Sequence, residues 1–481
     1  MARPRIAWFS PLQPVESGIS LYSEDILPVL SRVMDIDVYV EGYRPSALVE
    51  TDSLHVHDAS TFSAGSCDLA VYQVGNSPAH IYMIPDAERH PGLLVLHDTM
   101  LNHLFIQEAA RNGNLLSYRD EMARRYDDDG ASAADRVLRG QAPDDLFRFP
   151  MSERLVDASR ATLVHSHFAR NQTLERSPSA AVYRVPHGLY LPENVAREKA
   201  RHSLGIPTDQ FLIASISHIN PHKRIDVVLR ALKELRRTIP ARLILAGSVS
   251  PMFPLGRMVN HLGLDQVVET PGYVSDPEAR LIAAAADVIV NLRYPTAGET
   301  SGSLLHAMAA GRPVLVSQTG SFTEVPAGTV VPVPVDALEL ETLVAYLAKL
   351  AADPELRVDL GRRARRFIEQ EHSLSRWVNG YVDVISEVTG MDVPYPEIEE
   401  SFEPVPIRPA DASGVADDPL NQSLARDIAE LGLGGDEALL RDLASARVEL
   451  GLGVGKISSE SSDPDSISGG KDVERTDQSD Q

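Results

Sequence analysis

Cysteine and long apolar runs are scarce in this sequence. Cys67 is the single cysteine among 481 residues, which excludes an internal disulfide framework and is typical of a reducing compartment. No apolar run approaches the roughly 20 residues of a membrane-spanning helix. The first residues pass from two arginines into a short apolar run and a proline, which predicts a β-strand rather than a signal peptide. We therefore expect a cytoplasmic protein that contacts membranes at most peripherally.

Positive charge is also in short supply, since the formal net charge is −23. Residues 391–481 contain 21 acidic and 7 basic residues, whereas residues 1–390 contain 47 and 38, so the globular part is only mildly acidic. Binding to a nucleic-acid backbone needs a basic face, and this balance argues against such a partner.

Short apolar segments alternate with amphipathic or polar segments along most of the chain, which predicts an α/β protein with parallel sheets. These predicted strands include residues 6–9, 36–40, 69–74, 93–96, 161–164, 183–185, 211–216 and 242–246.

A phosphate-binding element is predicted between apolar runs at residues 283–292 and 313–316, which indicate two strands with a loop and a helix between them. Small and polar residues start that helix: Thr300, Ser301, Gly302 and Ser303. The first two can cap it and leave amide N–H groups free at the positive end of the helix dipole, where phosphates bind. An ordinary capped crossover helix is the alternative.

Within that helix, Leu304-Leu305-His306-Ala307-Met308-Ala309 resembles the Leu-Leu-Glu-Ala-Met-Ala motif of the retaining glycosyltransferases of family 4, which have the GT-B fold. In that family two Glu separated by seven residues flank the donor phosphates, and the second binds the donor's ribose. Here Gly298 stands at the first Glu and His306 at the second. The resemblance implies that Glu299, one residue along, takes the first role and His306 the ribose role.

Two further stretches match the family's donor site. Ser17, Gly18 and Tyr22 resemble its small-Gly pair followed by a helix with a Tyr, so the resemblance implies that Ser17 and Gly18 lie under the donor's sugar and phosphates. Lys223 matches a lysine that holds the diphosphate, and His218 stands where an arginine is usual. A turn glycine and a solvated lysine are the ordinary alternatives.

Histidines supply a further candidate. His97, followed by Asp98, ends a predicted strand, and ligands of open α/β sheets bind beyond the carboxyl ends of strands. The family often carries a histidine there, near the transferred sugar, so the resemblance implies that role for His97. The pairs His55/His57 and His165/His167 lack a further cysteine or carboxylate at a suitable spacing, and no metal site is predicted.

The resemblance covers about residues 3–388 and implies two Rossmann-like domains facing across a cleft. Residues 1–190 would form the acceptor-side domain and 205–372 the donor domain, with 189–208 as the linker and a helix at 373–390 crossing back to the first. Residues 391–481, rich in Pro and Glu and then in Ser, Asp and Gly, predict a disordered acidic tail. Its two short amphipathic helices, in 420–451, could dock on a protein partner.

The implied function is that of a retaining hexosyltransferase, which moves a sugar from a nucleotide-sugar donor to a hydroxyl acceptor such as a glycan or glycolipid. Without an acidic metal cluster in the sequence, no metal or other cofactor is expected. The alternative is a non-catalytic GT-B scaffold that binds a partner through its tail, which Gly298, His218 and His306 favour. An epimerase or phosphorylase is less consistent, because neither a pyridoxal-binding lysine nor a paired-carboxylate site is evident.

Overall fold

The computed structural model describes residues 3–191 and 195–398, and in this part of the chain thirteen parallel strands form two sheets. The first sheet contains β1 (Arg5–Phe9), β2 (Asp35–Val40), β3 (Leu54–Asp58), β4 (Leu69–Val74), β5 (Leu93–Leu96), β6 (Ala161–Val164) and β7 (Val182–Arg184). The second contains β8 (Phe211–Ile216), β9 (Ala241–Ala246), β10 (Val268–Gly272), β11 (Val288–Asn291), β12 (Val314–Ser317) and β13 (Val331–Val333).

Helices cover the faces of both sheets and connect most of the strands. In the described residues they are α1 (Gly18–Leu30), α2 (Ile84–Arg89), α3 (Asn102–Arg111), α4 (Leu115–Leu138), α5 (Glu153–Val156), α6 (His167–Arg176), α7 (Arg197–Leu204), α8 (Ile225–Leu235), α9 (Leu255–Leu262), α10 (Asp276–Ala285), α11 (Gly302–Ala309), α12 (Glu339–Ala352), α13 (Pro354–Glu371) and α14 (Leu374–Thr389). None of these combines the length and apolar content needed to cross a membrane.

Both sheets change winding direction near the middle. The strand orders are β3-β2-β1-β4-β5-β6-β7 and β10-β9-β8-β11-β12-β13, so β1/β4 and β8/β11 are the neighbours at which the order reverses. Central strands such as β4, β5 and β11 are buried along their whole length, as expected for parallel strands covered on both faces. In doubly wound sheets, crevices form beyond the carboxyl ends of the strands at such reversals. The predicted α/β fold with two Rossmann-like domains is confirmed.

The last helix, α14, packs on the first domain although it follows the second in sequence. The Trp377 indole N–H donates to the Tyr22 hydroxyl at 3.1 Å, and the Tyr22 and Tyr381 hydroxyls are 2.6 Å apart. Trp377 and Tyr381 are both at most 1% exposed and belong to the core under β1. The chain ends its second domain by returning to the first.

Two predicted segments differ from the observed ones. The run at 283–292 is divided, because its alanines extend α10 to Ala285 and its β-branched residues form β11. The predicted linker at 189–208 contains α7, which packs on α10 of the second domain. Buried Arg201 explains that packing, since it donates to the Ala285 carbonyl at 2.8 Å and to the Asp287 carboxylate at 2.7 Å.

The predicted disordered tail was placed to begin at residue 391, which is wrong for its first eight residues. Val393 is 6% exposed and packs, with Met391 and Ile398, against the core of the first domain. The Tyr395 hydroxyl also donates to Asp383 at 2.6 Å. The apolar side chains of this short segment therefore pack on the folded part of the chain. The remainder of the predicted tail, including 420–451, lies outside the described residues.

Candidate functional site

A cleft of about 850 Å³ lies between the carboxyl ends of the two sheets and is lined by both domains. Every site residue named from the sequence lines this one cleft: Ser17, Gly18, His97, His218, Lys223, Glu299, Thr300, Ser301, Gly302, Ser303 and His306. They come from four separate segments, at residues 17–18, 97, 218–223 and 299–306, that are far apart in sequence. The topology alone brings them together.

The start of α11 faces the cleft with unblocked backbone. The Ser301 hydroxyl caps the helix by accepting from the Leu304 amide at 3.3 Å, and the Asn291 amide donates to the Ser303 hydroxyl at 2.9 Å. A Cβ placed on Gly302 would have no neighbour nearer than the His187 ring at 3.4 Å. The Gly302 and Ser303 amides have no hydrogen-bond partner among the described residues, so they are available to an anion in the cleft.

On the opposite wall, α1 begins in the same manner. The Ser17 hydroxyl caps α1 by accepting from the Ile19 amide at 3.2 Å. Apart from its chain neighbours and its own helix, no described residue lies within 4 Å of a Cβ placed on Gly18, so there is open space at this helix start. Two helix starts, α1 and α11, therefore line the cleft from opposite domains.

Four charged side chains meet in the deepest part of the cleft: Asp98, Lys223, Arg293 and Glu299. Burial, and next Arg293, hold the pKa of Lys223 well below its usual value, while Glu299 and Asp98 oppose that shift. Burial and the neighbouring Glu299 raise the pKa of Asp98 to about 7. The first domain supplies Asp98 and the second supplies the other three, so this cluster exists only when the domains are together.

The Glu299 carboxylate is bonded within its own loop. One oxygen pairs with Arg293, and the other accepts from the Thr296 hydroxyl at 2.9 Å and the Ala297 amide at 2.7 Å. Burial alone would raise its pKa, but Arg293 and Lys223 lower it to about 2, so Glu299 is ionised at neutral pH. Arg293 also donates to the Ser301 hydroxyl at 3.1 Å, which joins this loop to the start of α11.

Gly298 packs directly against the first domain. Its backbone has φ +80°, in the left-handed region that favours glycine, and a Cβ there would overlap the Thr99 hydroxyl. The Thr99 and Met100 amides donate to the Ala297 carbonyl at 2.8 and 3.0 Å. Residue 298 therefore has no room for a side chain while these contacts persist.

Neutral histidines form the wall beside the charged cluster. His97 Nε2 is 2.7 Å from the Gln73 amide oxygen, and its ring lies edge-on to Tyr22, with centroids 4.6 Å apart. Burial is the main cause that holds the pKa of His97 and His187 well below the usual value and lowers that of His165 to about 4. At neutral pH these rings can exchange hydrogen bonds with hydroxyl groups without adding charge.

His306 lies on α11 beside a different charged group. Burial lowers its pKa, with Asp276 opposing and Arg280 reinforcing the shift. Asp276 and Arg280 form an ion pair of 2.7 Å on α10. Asp25 of the first domain also lines this part of the cleft, and burial followed by repulsion from Asp276 raises its pKa to about 6. His218, in contrast, is exposed at the edge of the cleft.

Contacts between the domains flank the cleft on several sides. The Ser248 hydroxyl donates to Glu16 at 2.8 Å. The Glu324 carboxylate accepts from the His167 amide at 2.9 Å and from the Phe168 amide, so a residue of the second domain caps α6 of the first. The structure is thus a closed arrangement of the two domains.

Sequence reasoning did not assign a role to several charged residues of the cleft, notably Asp98, Arg293 and the group Asp25, Asp276 and Arg280. Two of them could have been found from their position just after a strand: Asp98 follows His97 at the end of β5, and Arg293 comes two residues after β11. The helical residues Asp25, Asp276 and Arg280 carried no such signal. Within residues 3–191 and 195–398, no cluster of three or more His, Cys, Asp or Glu is arranged to hold a metal ion.

Two Rossmann-like domains with a cleft between their carboxyl edges define the GT-B fold, which confirms the predicted fold class. Residues 196–367 match the family described as glycosyl transferases group 1, which confirms the resemblance seen in the sequence. That match lies on the second domain, which carries Lys223 and α11.

Among curated proteins, the chain is 30% identical over 226 residues to a GDP-mannose-dependent alpha-(1-6)-phosphatidylinositol monomannoside mannosyltransferase of Mycolicibacterium smegmatis, covering 44% of this chain and 58% of that protein. It is 27% identical over 266 residues to a D-inositol 3-phosphate glycosyltransferase of Saccharomonospora viridis, covering 52% and 61%. The chain thus spans about three-fifths of the length of these relatives.

Among solved structures, the fold is similar to a sucrose-phosphate synthase from Thermosynechococcus elongatus, with a TM-score of 0.59 and 15% identity over 81% of this chain and all of that one. HepE of Anabaena, solved with UDP and glucose, gives a TM-score of 0.53 and 15% identity over 80% of this chain and all of that one. At these identities the similarity shows the fold alone.

Proposed function

We propose that the protein transfers a sugar from a nucleotide-sugar donor to a hydroxyl acceptor, with retention of configuration and without a metal ion. The observation that carries the proposal is the single cleft in which Lys223, the α11 start, the α1 start and His97 face one another. A donor's diphosphate needs cations and amide groups, its sugar needs a neutral hydrogen-bonding wall, and its nucleoside needs a further polar pocket. The group 1 match over residues 196–367 supports the same reading.

In this proposal the donor's diphosphate lies between Lys223 and the amides that start α11. A departing nucleoside diphosphate gains negative charge, and preorganised donors in a water-poor cleft stabilise that charge strongly. The pKa of Lys223 is lowered before the ligand arrives, and an incoming anion favours its charged form. His218, exposed at the edge of the cleft, is positioned to approach the same phosphates.

The transferred sugar lies against the first domain and the nucleoside against α10 and α11. Neutral His97, held by Gln73, orients the sugar. Glu299 lies beside the sugar's hydroxyls and also fixes its own loop by pairing with Arg293. His306 contacts the ribose in place of a carboxylate. The acceptor's hydroxyl enters from the first-domain side, and its chemical class is a glycan, a glycolipid or another alcohol.

The test is a binding screen by thermal shift with UDP-, GDP- and ADP-sugars, followed by transfer and hydrolysis assays of each binder with and without EDTA. We expect one nucleotide class to raise the melting temperature and support turnover that EDTA leaves unchanged, with the product's anomeric configuration, read by NMR, equal to the donor's. Failure of every nucleotide to bind would refute the proposal. Binding without turnover would favour a scaffold, since Gly298 and His306 replace the family's two carboxylates.

A further inference from the structure

The contact between the domains fills the place where the family pattern has its first glutamate. Thr99 and Met100 donate their amides to the Ala297 carbonyl, and the Thr99 hydroxyl occupies the space that a side chain on Gly298 would need. A carboxylate at position 298 is therefore excluded by packing as well as by sequence. Any carboxylate that serves the sugar at this spot must come from a neighbouring residue.

Asp98 is adjacent to that contact and faces the cleft. Its Oδ2 accepts a hydrogen bond from the backbone amide of Asn76 at 2.6 Å, which fixes the carboxylate beyond the end of β5. Among the described residues, no donor within hydrogen-bonding distance engages its Oδ1. The same cleft contains Lys223 and Arg293 of the other domain, which attract the Asp98 carboxylate. One oxygen is anchored and the other is free to accept a hydrogen bond from a ligand.

Glu299 differs from Asp98 in this respect. Arg293, the Thr296 hydroxyl and the Ala297 amide already engage both of its oxygens, and all three belong to its own domain. Its carboxylate can accept a further bond, but its position is set by the loop. Of the two carboxylates in the charged cluster, Asp98 has the greater unused capacity and is placed by the first domain, against which the sugar lies in the proposed function.

We propose that Asp98, which lies in the first domain, binds hydroxyl groups of the transferred sugar. Residue 298, a glycine of the facing domain, cannot fill this role. This inference rests on the proposed function, because it needs a sugar donor in the cleft. A carboxylate accepts strong bonds from hydroxyl donors. Since Lys223 holds the diphosphate, the sugar attached to it lies between Lys223 and Asp98. Asp98 therefore contributes to the recognition of the sugar and not of the nucleotide.

A pH dependence follows from the same contact. Burial and Glu299 raise the pKa of Asp98 to about 7, against the Asn76 amide, Arg293 and Lys223. Because the ionised form accepts the sugar's hydroxyls, affinity for a nucleotide-sugar, relative to that for its nucleoside diphosphate, rises as pH increases through about 7. Asp25, with a pKa of about 6, also lines the cleft, but it interacts with Asp276 and Arg280, the charged group that also shifts the pKa of His306.

The experiment compares two ligands on two variants. Dissociation constants are measured by calorimetry for the nucleotide-sugar identified in the screen and for its nucleoside diphosphate, with wild type, Asp98→Asn and the exposed control Asp209→Asn. Loss of a hydrogen bond to a charged group predicts that Asp98→Asn weakens nucleotide-sugar binding by about 10- to 100-fold. Affinity for the nucleoside diphosphate should stay within about twofold, because that ligand lacks the transferred sugar that contacts Asp98.

Each outcome bears on one idea. Equal losses for both ligands would mean that Asp98 only shapes the cleft, and unchanged affinity for the nucleotide-sugar would also overturn the proposal. A wild-type protein that binds no nucleotide-sugar at all refutes the proposed function instead. The wild-type pH profile needs no variant. The diphosphate contact at Lys223 is common to both ligands, so the ratio of their affinities isolates the sugar contact; a ratio that is flat between pH 6 and pH 8, roughly one unit on either side of the pKa, contradicts the role of Asp98 even if Asp98→Asn fails to fold.

Discussion

Replacing Lys223 with alanine tests the cation on which the proposed chemistry depends most. Lys223 ends a short 3-10 turn, Pro221–Lys223, just before α8 and projects into the cleft. Removing one charge-assisted contact to a developing anion costs about 2–4 kcal/mol of transition-state stabilisation. At about 1.36 kcal/mol per factor of ten, kcat/KM should fall by about 30- to 900-fold.

Stability should respond differently from activity. Burial and Arg293 disfavour the charged form of Lys223 in the unliganded protein, as its lowered pKa indicates. Substitution removes a desolvated cation, while Glu299 keeps its partner Arg293. We expect the free energy of unfolding to change by no more than about 1 kcal/mol. A large rate loss without a stability loss distinguishes a ligand contact from a structural one.

The assay is initial-rate sugar transfer at varied donor concentration, beside thermal unfolding without ligand. Lys233→Ala is the matched control, since Lys233 is an exposed lysine on the adjoining helix α8. Because the anion raises a pKa that is lowered in the free protein, binding takes up a proton, and wild-type donor affinity should decline as pH rises through that lowered pKa. Activity of Lys223→Ala within about threefold of wild type would refute this placement of the diphosphate.

Three further substitutions probe the rest of the cleft. Glu299→Gln should lower kcat at least about tenfold while the donor's Kd changes by less than about threefold; a loss confined to Kd would contradict a role at the sugar. His306→Ala should weaken binding of the nucleoside diphosphate about tenfold by calorimetry, whereas the exposed control His261→Ala should not, and equal behaviour of the two would remove His306 from the nucleoside site. Gly298→Ala should separate the domains, because a Cβ would overlap Thr99 at φ +80°; an unchanged radius of gyration by X-ray scattering, with normal turnover, would show that the closed contact is dispensable.

Most of the fold could be predicted from local sequence patterns. Apolar segments predicted strands at 69–74, 93–96, 161–164 and 211–216, which are the observed bounds of β4, β5, β6 and β8, since parallel strands covered on both faces are largely apolar along their length. Strand β3 was missed because it lies at the edge of its sheet and its central residues are only partly buried, so no apolar run marks it. Likewise, α7 was read as linker because its packing depends on one buried arginine, Arg201, and not on a hydrophobic stripe.

Local sequence was sufficient to predict the order of the elements and the loops that carry the candidate site. The resemblance to family 4 singled out Gly18 and Lys223, and residue type and position marked the α11 start, because capped helix starts have local physical causes. Which charges meet depends on the tertiary structure. Asp98 and Glu299 are about 200 residues apart in the chain, and their mutual effect on pKa arises from the closure of two domains. Packing of Thr99 on Gly298 decided in the same way that a carboxylate here must come from the opposite domain.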